Sequence, residues 1–296
     1  SALALLLRYY RAEHVLRNRT DHVLVPQWLG TPVYEIMHRT CFPTTIYKNN
    51  VRGLMAYHQW GFPQDMDVIK SFCEEKKIFL IEDCAHAHES YYKGQRVGTF
   101  GDAAFFSLSK FFPSVEGGAI YTKKSSLKRF INIAIESNHN ELLAQKIFNN
   151  RLAFDNTPTT QNLLELTRNY IVYDQVVRCP DYSLAIARHE VSTGAIERRR
   201  RNYALYLEAF GDERNLSRLG QENVLPWIVP VFLRGKSCGK VVTALQNAGI
   251  KTDTYHFDLN RNMLDPHFVP CVPLPCHQGL NEKDIERIIS TIKKAS

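Results

Sequence analysis

Two residues of this chain are of types that could together carry group-transfer chemistry. Asp83 closes the apolar run 78–83, and Lys110 leaves the run 104–109. A carboxylate at the end of a parallel strand lies where open α/β sheets bind their ligands. Taken alone, an Asp after a strand is more commonly a helix cap or turn residue, and a single Lys is most commonly a surface cation. Lys110, however, is followed by Phe111, Phe112 and Pro113 and then by Gly117 and Gly118. An amine in such an aromatic, Pro- and Gly-bounded turn is poorly placed to serve as a solubilising charge. Desolvation there would lower its pKa and make it a nucleophile toward an aldehyde.

The elements that must position these groups are visible in the hydrophobic pattern. Up to about residue 125, short β-rich runs alternate with helical patterns, the signature of a parallel sheet with crossover helices. Strands are expected at 22–26, 53–59, 78–83, 104–109 and 118–122. The stretch 64–76 places Met66, Ile69, Phe72 and Cys73 on one helical face. Residues 124–181 read as mostly helical, and 182–210 as a single long helix between domains. A strand at 227–233, a helix at 238–248 closed by Gly249, a strand near 252–257 and an amphipathic helix at 282–294 follow. The expected division is a large α/β domain over 1–181 and, over 182–296, the linking helix with a smaller α+β domain.

Composition narrows the partners. With 296 residues, 44% of them hydrophobic and 23% charged, the chain can bury a large core. The net charge of +7 suits an anionic partner, yet the basic residues are dispersed apart from 198–201. That run reads first as a solvated helix face and second as a ligand site. No concentrated basic stripe interleaved with aromatics is present, so no nucleic acid is expected, whereas phosphate-bearing small molecules fit. Cysteines 41, 73, 84, 179, 238, 271 and 276 make neither a two-residue pair nor a secreted scaffold. A reducing, cytoplasmic setting without a bound metal is therefore expected. The apolar opening 2–7 is too short to span a membrane and lacks signal-peptide features.

Pyridoxal 5'-phosphate asks three things of a protein: an amine for its aldehyde, a carboxylate for its ring nitrogen, and donors for its phosphate. Lys110 and Asp83 meet the first two. Ser107, with the helix start at Ser1 and Ala2, meets the third through a hydroxyl and backbone N–H groups.

These residues resemble the DegT/DnrJ/StrS family of sugar aminotransferases. The matching positions are Glu82, Asp83, Ala85 and His86, then Gly94, Val97, Gly98, Gly101, Asp102, Ser107, Lys110, Gly117 and Gly118. Upstream, His58 through Asp65 looks like the family's His-x-x-Gly-x-Pro segment, and Ser1-Ala2-Leu3 like a shortened form of its phosphate turn. Pro273 to His277 and the helix over 280–289 resemble its closing segment. Two features depart from the pattern. Ser107 and Lys110 are three apart where five is commoner in the family, and Asp181-Tyr182-Ser183 stands where many relatives carry Asn-Tyr-Arg. An Asp is unfavourable beside a phosphate. The chain thus reads as a divergent, shortened member.

The resemblance implies an aspartate-aminotransferase-like fold (fold type I) and a homodimer. It implies that Asp83 pairs with the pyridine nitrogen, that His86 lies beside the ring or its phenolic oxygen, and that Trp28 stacks on it. Tyr255 and His256 are candidate substrate contacts in the small domain. The implied activity moves an amino group from L-glutamate to a keto sugar, nucleotide-linked, in cell-surface polysaccharide or secondary-metabolite biosynthesis. Two alternatives stand beside it. One is a cofactor enzyme of another reaction type such as a dehydratase, against which the retained Lys110 argues. The other is a non-catalytic regulator or scaffold on the same fold.

Overall fold

The apolar runs become strands where burial on the sheet rewards them. The computed structural model describes residues 2–114, 116–137, 141–171, 176–211, 219, 223–233 and 238–295. In chain order its elements are α1 (Ala2–Ala12), β1 (His22–Leu24), α2 (Thr31–His38), β2 (Phe42–Thr44), β3 (Val51–Tyr57), α3 (Met66–Lys76), β4 (Phe79–Asp83), β5 (Tyr91–Tyr92), β6 (Gln95–Arg96), β7 (Ala103–Ser107), α4 (Leu108–Phe111) and β8 (Gly118–Thr122). Then come α5 (Ser125–Glu136), α6 (Glu141–Asn156), α7 (Thr160–Ile171), α8 (Asp181–Ser192), α9 (Ala195–Phe210), β9 (Ile228–Val231), α10 (Cys238–Asn247), β10 (Tyr255–Asp258), β11 (Phe268–Pro275) and α11 (Glu282–Ala295). A short 3-10 turn, Gln59–Gly61, follows β3.

The chain divides into two compact units, one of residues 1–57, 70–85 and 98–188, the other of 58–69, 86–97 and 189–296. In the first, six strands form a sheet ordered β2-β1-β3-β4-β7-β8. Every neighbouring pair is parallel except β7 with β8. The expected strand at 118–122 is therefore present but reversed, because the ten-residue link from β7 is too short for a parallel crossover. Leu3, Leu6, Leu7 and Tyr10 of α1 pack with Val23, Met55, Ile81 and Phe105 of the strands and with Leu127 and Ile131 of α5. The Tyr10 ring stacks on Phe79, with centroids 3.7 Å apart.

The second unit is built on the antiparallel sheet β10-β11-β9 and the β5-β6 hairpin. Ile285, Ile288 and Ile292 form the buried stripe of α11, meeting Val229, Val231, Val272 and Leu274 of the sheet and Leu245 of α10. β11 holds three prolines in a middle strand. They are tolerated because 268–271 pair only with β10 and 272–275 only with β9, so each half needs ladder bonds on one side.

Several expectations require correction. The single helix over 182–210 is two helices, α8 and α9, separated at Gly194, whose φ of +84° is readily held only by glycine. The basic run 198–201 is only in part a solvated face, since of the four only Arg201 is classed as exposed. Arg199 is buried, with its Nε donating to Gln278 Oε1 at 2.8 Å, while Arg198 Nε donates to the Gln278 carbonyl and Arg200 to the Glu89 carbonyl. The elements α2, β2 and β11 lacked a clear period, since each is short or carries proline. All seven cysteines are free thiols, and among the described residues no helix is long and apolar enough to cross a membrane.

Candidate active site

In the first unit the carboxyl ends of β1, β3, β4 and β7 share one edge, the edge at which open α/β sheets bind ligands. Asp83 is the last residue of β4 and is buried, pairing in register with Phe105 of β7. Its Oδ1 accepts the Ala85 N–H at 3.0 Å, which fixes the carboxylate against the turn that follows. Ser107 ends β7 two residues beyond that register point, and α4 starts at once. Neighbouring strands lie about 4.8 Å apart. Asp83 and the one-turn helix bearing Lys110 therefore leave adjacent strands at the same edge.

Within α4, Leu108 and Phe111 turn inward, so Ser109 and Lys110 face outward and are exposed. The expectation that the aromatic turn would desolvate Lys110 is corrected. Phe111 and Phe112 are themselves buried while Lys110 is exposed. Half-buried Ser107 places its Oγ 3.3 Å from Ser109 Oγ. Trp28 follows β1 at the same edge and is 51% exposed, so it offers a ring face instead of filling the core. Ala2 is the first residue of α1, among the N–H groups that lack an intrahelical acceptor. α1 runs back along the sheet: its Tyr9 Oη lies 2.7 Å from Ser126 Oγ, beyond the far end of β8. Its N-terminus is thus at the ligand edge. Ser1 lies outside the described residues.

The motif residues around Asp83 form its frame. Glu82 points to the other face of β4 and is fully buried. Its Oε2 accepts the Gly98 N–H at 2.6 Å, and its Oε1 accepts those of Phe100 and Gly101, both at 2.7 Å. Gly98 has φ +87°, and a Cβ there would lie 2.6 Å from the Phe106 ring. Asp102 accepts the Leu80 N–H at 2.9 Å and pairs with Lys124. The Gly-rich turn 98–101 is therefore strapped to β4 by one carboxylate. Sequence reasoning quoted Glu82 as a motif match without assigning it this role, because its three partners lie 16 to 19 residues away.

The segment Asp181-Tyr182-Ser183 begins α8 and bonds to the loop after Lys110. The Tyr182 hydroxyl donates to Glu116, and Ser183 Oγ donates to the Ser114 carbonyl at 3.0 Å. Burial pushes the Glu116 carboxyl above its ordinary pKa, with the Tyr182 bond opposing it.

The remaining candidates belong to the second unit. The His86 ring stacks on Trp227, with centroids 4.0 Å apart and planes 15° from parallel. Tyr255 is 49% exposed and tilts over Trp60 at 5.5 Å. The carbonyl of His256 accepts Gln59 Nε2 at 2.9 Å, and Gln59 Oε1 accepts the Asp258 N–H. Asp83, Lys110, Ser107, Trp28 and Ala2 are thus grouped in the first unit, and His86, Tyr255 and His256 in the second. The contacts made by Trp227 and Gln59 gave no sequence signal, since they meet their partners across 141 and 197 residues.

Fold and edge chemistry together define an α/β chain of fold type I. Solved structures agree in architecture. PseC, a Helicobacter pylori aminotransferase involved in pseudoaminic acid biosynthesis, superposes with a TM-score of 0.69 at 16% identity, over 100% of this chain and 85% of that one. The putative sugar aminotransferase Spr1654 of Streptococcus pneumoniae, in its PMP form, gives 0.70 at 17%, over 100% and 86%. The model of the DegT/DnrJ/EryC1/StrS aminotransferase family matches residues 42–293, and the chain belongs to that family. GDP-perosamine synthase of Escherichia coli O157:H7 is 41% identical over 81 residues, 27% of this chain and 22% of that protein. L-glutamine:2-deoxy-scyllo-inosose aminotransferase of Micromonospora echinospora is 41% identical over 79 residues, 26% of this chain and 19% of that protein. The matched stretch spans about a fifth of the length of these curated relatives.

Proposed function

We propose that the chain is a pyridoxal-phosphate-dependent aminotransferase that moves an amino group from an amino acid, L-glutamate, to a keto sugar, nucleotide-linked. The observation that carries this reading is a buried carboxylate ending one strand and an exposed amine in the helical turn that follows the neighbouring parallel strand, both at the carboxyl edge, in a chain of this family. Residues 1–181 would form the cofactor-binding domain and 182–296 the smaller one, in a homodimer in the cytoplasm. When bound, the cofactor supplies an electron-withdrawing ring that stabilises charge left on a substrate carbon.

The protein's residues do the rest. Asp83 would accept a charge-assisted hydrogen bond from the ring nitrogen and so hold a proton there. Lys110 Nζ would hold the cofactor through its aldehyde, and the same amine would serve as the base that moves a proton at the α-carbon of the donor. Ser107 Oγ and the Ala2 N–H would donate to the phosphate. Trp28 would offer an aromatic face to the cofactor; His86 is proposed as a further cofactor contact, and Tyr255 and His256 as substrate contacts. The dehydratase alternative is disfavoured by an amine at position 110 that can hold both cofactor and proton.

The test is spectroscopic. Cofactor-loaded protein is mixed with L-glutamate and, separately, with L-glutamine, and conversion to the pyridoxamine spectrum is followed. L-glutamate is expected to convert it; conversion by L-glutamine alone would overturn the donor, and a spectrum unchanged by either indicates a non-catalytic binder. Trp28→Ala is expected to weaken cofactor binding by about tenfold, the value of one ring contact. Absorbance titration reads this, and the melting temperature of the cofactor-free chain should not move because Trp28 is exposed.

A further inference from the structure

We propose that the Tyr182–Glu116 pair is a latch that fixes the helical turn bearing Lys110, which makes both of them positioning residues for the reaction at the carboxyl edge. The inference rests on the aminotransferase reading and adds to it two residues that act through Lys110. α4 is four residues long, too short to hold its geometry unaided. Leu108 and Phe111 are buried, and the exposed side carries the amine on which the chemistry depends. The chain that follows folds back on this turn. Leu108 N donates to the Gly117 carbonyl at 3.0 Å, and Ser107 pairs in register with Gly118. Ser114 Oγ donates to the Glu116 carbonyl at 3.0 Å, and Glu116 N donates to the Ser114 carbonyl at 2.6 Å. Glu116 therefore stands one residue from the acceptor of the first N–H of α4.

The start of α8 closes on this return at three points, all within the first unit. The Tyr182 hydroxyl donates to the Glu116 carboxylate. Ser183 Oγ donates to the Ser114 carbonyl at 3.0 Å, and both serines are fully buried. A Cβ on Gly117 would lie 3.0 Å from Cys179 Sγ and 3.3 Å from Ser183 Cβ, so the segment 179–183 packs directly against the turn. Packing alone does not call for the Tyr182 hydroxyl, since the residue is 38% exposed and a Phe would keep the ring. A hydroxyl bonded to a half-buried carboxylate is a charge-assisted and directional contact. Catalytic groups need such control, because a misplacement of about 1 Å can cost about a hundredfold in rate. An amine on a one-turn helix is exposed to that loss, since the turn sets where its side chain begins.

The experiment compares the full parent chain with Tyr182→Phe, Glu116→Ala, Glu116→Gln and the double variant Tyr182→Phe/Glu116→Ala. Attachment of pyridoxal phosphate to Lys110 of the cofactor-free chain is timed by borohydride trapping and mass spectrometry, and the half-reaction of the loaded protein with L-glutamate is followed by absorbance. Tyr182→Phe and Glu116→Ala are each expected to slow both processes about tenfold, part of the full cost of misplacement. The saturation constant for L-glutamate should stay the same, and the isotope effect with the α-deuterated donor should rise. The double variant should be no slower than either single one, since the two residues act as a unit. Glu116→Gln keeps an oxygen that can accept the hydroxyl, and its rates should lie between those of the parent and Tyr182→Phe. Parental rates in Tyr182→Phe, or single losses that multiply in the double variant, overturn the latch. So does a raised saturation constant with an unchanged limiting rate, which marks a binding role. Should Glu116→Ala fail to fold, Tyr182→Phe and Glu116→Gln decide by the same rates. A parent loaded at Lys110 but converted by neither L-glutamate nor L-glutamine overturns the proposed activity and not the latch, which the trapping rates then decide. A parent that takes no cofactor at Lys110 overturns both.

Discussion

Replacing Lys110 by Ala is expected to abolish the visible-edge absorbance of the lysine-held cofactor and to cut transamination by at least about a hundredfold. That bound is the lower end for a lost proton carrier; losing the covalent anchor adds to it. The chain should remain folded. Lys110 is exposed on the outer side of a one-turn helix whose packing rests on Leu108 and Phe111. Surface substitutions of this kind change stability by no more than about 0.5 kcal/mol. The melting temperature of the cofactor-free variant is therefore the control. Adding methylamine should restore part of the proton transfer, since a small free amine can occupy the vacated space. A Lys110→Ala protein that keeps both the absorbance and the turnover would end the assignment of this amine.

The second large effect is structural and falls on Glu82. Substituting Gln keeps one carbonyl oxygen but turns an NH2 group toward backbone donors that the carboxylate now accepts. At least one of Gly98, Phe100 and Gly101 then loses its acceptor beside a fully buried side chain. Hydrogen bonds to charged groups contribute about 1.5–3 kcal/mol each, and an orphaned buried donor costs about as much. Glu82→Gln is thus expected to destabilise by about 3 kcal/mol, and Glu82→Ala by more. For a chain of this size the Gln variant should melt roughly 6–12 °C lower. Its second consequence is functional. Glu82 is joined directly to Asp83, and the turn it straps leads into β7 and Lys110, so cofactor affinity should fall with stability. Thermal melting combined with absorbance titration reads both. A Glu82→Gln protein as stable as the parent would show that the strap is not what holds the turn.

The fold of the first unit was largely legible. Strands near 22–24, 51–57, 79–83 and 103–107 announce themselves because burial imposes apolar runs that begin and end locally. The helix break at Gly194 was not legible, since the amphipathic pattern continues through it and only a backbone φ of +84° stops the helix. β2 was hidden for a related reason: three residues that include Pro43 leave no period to read. In the candidate site, Asp83 and Lys110 stood out by their place at strand ends. Lys110 nonetheless proved exposed, because the direction of a side chain in a one-turn helix depends on which neighbours find a core.

The sequence by itself determined the alternation of strand and helix, the carboxylate and amine that close two strands, and the glycines that the turns require. These are local properties, set by residue type and spacing within a dozen positions. Only the tertiary structure decided the reversed direction of β8, the strap from Glu82 to the 98–101 turn and the link from Tyr182 to Glu116. Each of these depends on which distant groups meet once water is excluded, and that is settled by packing across tens of residues rather than by any one segment's own preference.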